Sequence, residues 1–93
     1  MFPGMNSNGN WRISITEGAR KSIKRLPRHD RERVEREIDE MEKDPFRGDV
    51  VNLKGEEDTW RRRVGSYRLL FKVLSKERAI FVREVKRRTS STY

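Results

Sequence analysis

Apolar residues in this chain recur at spacings that change along its length, and each change marks an element. From Trp11, Ile13 and Ile15 point one way and Arg12 and Ser14 the other, which predicts a strand. Thr16 suits a helix N-cap, and Glu17 just after it favours the positive end of the helix dipole. Ala19, Ile23 and Leu26 then fall at i, i+4 and i+7, the stripe of a short amphipathic helix that Pro27 ends. A second helix begins near Arg28 to Asp30, with Val34, Ile38 and Met41 as its inward stripe. Its other positions carry charge at helical spacing, Glu32 with Arg36, Arg33 with Glu37 and Asp39 with Lys43, as expected of a solvated face. Asp44-Pro45 closes it.

After a loop at Phe46 to Asp49, Val50 to Leu53 reads as a short strand and Gly55 to Asp58 as a turn. The stretch Trp60 to Phe71 predicts a hairpin. Gly65-Ser66 fits a type II′ turn, whose first central position needs positive φ. That turn sets Val64 opposite Tyr67, Arg63 opposite Arg68, Arg62 opposite Leu69 and Trp60 opposite Phe71. Because side chains alternate along a strand, Trp60, Arg62, Val64, Tyr67, Leu69 and Phe71 share one face. Arg61, Arg63, Arg68, Leu70 and Lys72 share the other. Like charges directly across a ladder destabilise it, so Arg63 facing Arg68 suggests an anion between them. A turn at Lys76 to Arg78 precedes a last strand near Ala79 to Val85.

The order is strand, two helices, then three or four strands, an α+β domain. A right-handed crossover of the helical pair sets the last strand parallel to the first. The helix hairpin packs on one face of a small, twisted, mostly antiparallel sheet, on the side of Trp60, Val64, Leu69 and Phe71. Arg61, Arg63 and Arg68 are left on the open face. Residues 1–10, rich in Pro, Gly, Asn and Ser, are expected to form a flexible leader, with 11–93 a single domain.

Charge sharpens the expectation for that open face. The 93 residues carry a net +8, with 41% charged and only 32% hydrophobic. Residues 1–27 hold five basic groups against one acid, 28–59 hold seven against twelve, and 60–93 hold eleven against two. A basic last third beside an acidic middle suggests a polyanion surface, nucleic acid or phosphate. There is no cysteine, which excludes disulfides and thiolate metal sites, and the single histidine, His29, gives no conventional metal site. No apolar run reaches membrane-spanning length and no signal peptide is evident, so a cytoplasmic protein is expected.

Leu53-Lys54-Gly55 followed by Trp60-Arg61-Arg62-Arg63-Val64-Gly65-Ser66-Tyr67-Arg68-Leu69-Leu70-Phe71 resembles the central signature of the RelE/ParE toxin superfamily of type II toxin–antitoxin pairs. The resemblance runs from Trp11 to Tyr93 in element order, length and basic C-terminal end, and implies the RelE-like β-α-α-β-β-β fold. A RelE-like member is a ribosome-dependent mRNA endonuclease, an mRNA interferase. It works without a metal or other cofactor: the 2′-OH attacks the adjacent phosphate, leaving a 2′,3′-cyclic phosphate and a 5′-OH. Carried over, the catalytic set is Arg61 and Arg63 before the turn, Arg68 after the tyrosine, Arg88 in Val85-Lys86-Arg87-Arg88, and Tyr93. Lys54, Lys72, Lys86 and Arg87 are expected to bind RNA.

The chain also departs from the family pattern. Arg88 and Tyr93 are five apart, a spacing that differs by about one among members. Arg62 occupies a site usually apolar, which implies either a stem along the core edge with its head in water or an irregular strand. Arg61 stands where some relatives have lysine, and an arginine there stabilises a phosphorane but is a poor base. Tyr93, a carboxylate such as Glu84, and substrate or ribosomal groups remain as bases. Two other functions fit the same residues: a ParE-like inhibitor of DNA gyrase, and a nucleic-acid-binding relic without catalysis. The partners implied are the ribosome, mRNA and a cognate antitoxin bringing acidic side chains to the basic surface, with Phe46 as a docking point and Leu70 as either a docking point or, the favoured reading, plain packing against the C-terminal tail.

Overall fold

The structure, a computed structural model, describes residues 11–53, 55 and 58–88. The leader at 1–10, Lys54 and Tyr93 lie outside the described residues. The chain forms β1 (Arg12–Ile15), α1 (Glu17–Lys24), α2 (Arg28–Met41), β2 (Val50–Asn52), β3 (Thr59–Val64), β4 (Tyr67–Leu74) and β5 (Ala79–Arg87). The short segment after the helices is a strand, so one edge strand is added to the β-α-α-β-β-β order.

Thr16 caps α1 as its position suggests: its Oγ1 accepts from the Ala19 amide at 3.1 Å and donates to the Arg83 carbonyl at 3.1 Å. The same hydroxyl therefore ties the helix start to β5. Pro27 has no side-chain donor or acceptor to cap α2, but its carbonyl accepts the Arg31 amide. Ala19 and Ile23 of α1 are buried, as are Val34, Ile38 and Met41 of α2. They cover the sheet residues Val64, Tyr67, Leu69, Phe71, Val73, Ile80 and Val82.

The five strands lie in the order β1-β5-β4-β3-β2. β5 runs parallel to β1, and the other three ladders are antiparallel. The hairpin has the expected register, with Trp60 opposite Phe71, Arg62 opposite Leu69, Arg63 opposite Arg68 and Val64 opposite Tyr67. Gly65 takes φ +57° while Ser66 does not turn positive, as the II′ turn requires.

A bulge interrupts the β4–β5 ladder. Leu70 pairs with Glu84 but Phe71 pairs with Val82, leaving Arg83 unopposed. Ile80 and Val82 face the helices before it, and Val85 faces them after it. One extra residue thus flips the parity of the C-terminal half of β5. Trp60 lies on the helix side but at its rim, half-buried and edge-on to Phe46 with centroids 4.8 Å apart. Phe46 in turn meets Trp11, so the three rings close the end of the core beyond Met41.

Candidate functional site

The face away from the helices is built row by row from the ladder pairs. One row is Val51, Arg61, Leu70 and Glu84, running from β2 to β5. The next, nearer the hairpin turn, is Arg63, Arg68 and Lys86. Arg88 follows the last strand and is tied to that turn: its amide donates to the Ser66 carbonyl at 2.6 Å, and its Nη1 to the Gly65 carbonyl at 3.2 Å. The sequence-predicted residues Arg61, Arg63, Arg68, Lys86 and Arg88 therefore come together at one end of the open face. Lys72 lies farther along, on the row with Phe81 and Ser14, 3.9 Å from Asp58.

Arg87 is separated from this group. It pairs with Tyr67 across the ladder, and Tyr67 faces the helices. Neighbours in a strand point to opposite faces, so Lys86 and Arg87 cannot both join the basic row. Tyr67 donates its hydroxyl to Asp30 Oδ2 at 2.9 Å. That bond, with burial and the negative charge of Asp30, raises the phenol above its ordinary pKa, while Arg87 acts in the opposite direction.

Arg62 does not send its head to water. The side chain is only 5% exposed; its Nε donates to Glu37 Oε1 at 2.9 Å, and its Nη2 lies 2.8 Å from the same oxygen. Nη1 donates to the Arg47 carbonyl. Glu37, expected to pair with Arg33 on a solvated face, instead turns inward to neutralise a buried guanidinium. Likewise Glu32 pairs with Arg28, at 3.3 Å, and not with Arg36.

The anion expected between Arg63 and Arg68 has a counterpart within the chain, one strand over. Asp49, in the loop before β2, places Oδ2 3.6 Å from Arg63 Nε and Oδ1 4.0 Å from Arg61 Nη2. No sequence period marks Asp49, and its site is legible only in three dimensions. Arg68 is exposed and has no ion-pair partner among the described residues.

Three buried polar atoms lack a hydrogen-bond partner among the described residues, and all belong to this region: Arg61 Nη1, Glu84 Oε1 and Arg88 Nε. Lys86 Nζ lies 3.3 Å from that Glu84 oxygen, a charge contact without hydrogen-bond alignment. Orphaned polar atoms are costly in a core, and these three cluster on the open face, beside Arg63, Arg68 and Lys86. Phe81 also lies on this face, half-buried between Lys72 and Ser14. At the opposite end of the sheet from Phe81, a cleft of about 420 Å³ lies between α2, the loop before β2 and β3, lined by Glu37, Glu40, Arg47, Asp49, Arg62 and Arg63 among others. Among the described residues no group of His, Cys, Asp and Glu could hold a metal ion. No described helix is long and apolar enough to cross a membrane.

Comparison with known proteins agrees with this architecture. Residues 13–91 match the family model described as ParE toxin of type II toxin-antitoxin system, parDE. The RelE1 protein of Methanocaldococcus jannaschii is 28% identical over 79 residues, covering 82% of this chain and 88% of its own. The structure is similar to that of an archaeal RelE–RelB complex from Pyrococcus horikoshii, with TM-score 0.79, 28% identity, and coverage of 88% of this chain and 99% of that one. The isolated RelE toxin of E. coli shares the fold, at TM-score 0.76 and 23% identity, with 87% of each chain covered. From residue 13 to residue 91 the chain belongs to the RelE/ParE superfamily, and it is a toxin of a type II toxin–antitoxin system.

Proposed function

We propose that this toxin is a ribosome-dependent mRNA endonuclease whose scissile phosphate sits on the Arg61, Arg63 and Arg68 end of the open face. The observation that carries this reading is the convergence there of three guanidiniums with the unpartnered Arg61 Nη1 and Arg88 Nε. The mRNA 2′-oxygen attacks phosphorus and the bond to the 5′-oxygen breaks; the 5′-oxygen takes a proton from water, and a 2′,3′-cyclic phosphate and a 5′-OH result. Guanidinium forks match phosphate oxygens bidentately and stabilise the charge that gathers on them in the transition state. Arg68, exposed and without an internal ion pair, binds the phosphate most readily. Glu84 faces the same side and is a diagonal neighbour of Arg68 across the ladder, which supports it as the carboxylate that accepts the 2′-OH proton. Lys86 and Arg88 hold the adjoining backbone, and no step needs a metal or cofactor.

A cognate antitoxin is the second partner, as in the RelE–RelB complex to which the fold is similar. Leu70, Leu74 and Phe81, half-buried on the open face beside the basic rows, suit a segment with an apolar and an acidic side. Inhibition of DNA gyrase is the other reading, favoured by the ParE name of the matching family model. Primer extension on an mRNA translated with the purified protein separates the two. Cuts within ribosomal A-site codons support the endonuclease; intact mRNA with loss of gyrase supercoiling overturns it.

A further inference from the structure

Strand β3 carries three consecutive arginines, and carboxylates hold them in two very different ways. Arg62 meets Glu37 at 2.8 Å, buried and hydrogen-bonded, a structural pair. Arg61 and Arg63 meet the single carboxylate of Asp49 at 4.0 and 3.6 Å, charge contacts longer than a hydrogen bond. Arg61 keeps a buried Nη1 with no partner among the described residues, and Asp49 is about half exposed. The Asp49 main chain is nonetheless fixed. Its carbonyl accepts the Arg63 amide at 3.0 Å, Gly48 before it turns with φ +93°, and Arg62 Nη1 clamps the Arg47 carbonyl just upstream. The backbone is thus anchored while the carboxylate is loosely held between two cations.

We infer that Asp49 is a built-in stand-in for the RNA phosphate, a positioning residue that keeps Arg61 and Arg63 apart and oriented until a phosphate displaces it. The inference rests on the reading of this face as a phosphate site. Without an anion, two guanidiniums two residues apart on one strand face repel each other and scatter. With Asp49 they are pre-set, at the expense of competing with the incoming ligand. Neutralising Asp49 then removes a competitor and frees two cations for RNA, so binding tightens while the free protein becomes less stable. A carboxylate with a purely structural role would weaken both.

The test is binding of a fluorescein-labelled ten-nucleotide single-stranded RNA, 2′-O-methylated so that it is not cleaved, over a range of salt. Asp49→Asn is expected to bind several-fold more tightly than the wild type. Its salt dependence should steepen by about 0.7 in log–log slope for each further phosphate that the freed arginines neutralise. Asp49→Glu should stay near the wild type, and Asp49→Ser stands in if Asp49→Asn does not fold. In an Arg61→Ala/Arg63→Ala background the tightening caused by Asp49→Asn should vanish. Equal or weaker binding by the neutral variants, or tightening that persists without the two arginines, overturns the role of Asp49. If Arg61→Ala/Arg63→Ala itself binds RNA as the wild type does, the phosphate reading of the face fails instead.

Discussion

Removing Glu37 should destabilise the fold more than removing any of the exposed charges on α2. Arg62 is 5% exposed at its side chain, and Glu37 Oε1 accepts its Nε–H at 2.9 Å and sits 2.8 Å from its Nη2. Breaking a buried pair from one side costs about 3–5 kcal/mol, because the remaining charge is stranded. Glu37 is itself 29% exposed, so water can enter where the carboxylate was, and solvent screening lowers the expected loss to about 2–3 kcal/mol for Glu37→Ala. For a domain of this size each kcal/mol moves Tm by about 4–8 °C, so a drop of about 8–24 °C is expected in circular dichroism melts. The double variant Glu37→Leu/Arg62→Met should recover most of that loss, since an apolar pair of similar volume carries no desolvation penalty. A Glu37→Ala loss below about 0.5 kcal/mol in urea denaturation would refute the buried-pair account, as would a double variant whose losses simply add.

Other expectations are as direct. Tyr67→Phe removes the hydroxyl bonded to Asp30, and with it a pH dependence. The phenol pKa is raised in the folded state, so its contribution is complete below the unfolded value near 10 and is lost as pH rises through the folded value. The wild type should therefore lose its advantage over Tyr67→Phe in urea midpoints measured between about pH 9 and 12. Gly65→Ala puts a Cβ on a residue at φ +57° and 3.1 Å from Arg33 Nη1, and should cost about 1–2 kcal/mol in the same assay. Phe71→Ala, at a fully buried site, should cost about 3–5 kcal/mol, whereas Trp60→Ala at the rim should cost less. Arg68→Ala, on an exposed side chain, should leave Tm within about 3 °C of the wild type.

The hairpin was legible because two residues determine it. Gly65-Ser66 fixes the turn, the turn fixes the register, and the register sorts every arginine to a face. Arg62 was visible as an anomaly on the apolar side, but its partner was not, since Glu37 sits at helical spacing from Arg33 and has no one-dimensional link to β3. Face parity likewise tells side and not depth, which is why Trp60 was expected in the core and lies at its edge. The bulge at Arg83 leaves only a faint trace in the sequence, the step from Val82 to Val85 that breaks the alternation, and it alone moves Arg87 to the helix side. Phe81 is legible too: its alternation with Ile80 and Val82 puts it on the open face. Asp49 stands in an irregular loop, where no period assigns a direction.

If the Arg61, Arg63 and Arg68 end of the open face cleaves mRNA by internal attack of a 2′-OH, the fragments must carry the ends that this chemistry leaves. The decisive measurement is therefore the end-group chemistry of mRNA fragments from a translating extract, with wild-type protein and with Arg68→Ala of matched Tm. The wild type should yield 2′,3′-cyclic phosphate and 5′-OH ends, and the variant should leave the message intact. Fragments with 3′-OH and 5′-phosphate ends, or equal cleavage by Arg68→Ala, would contradict that mechanism.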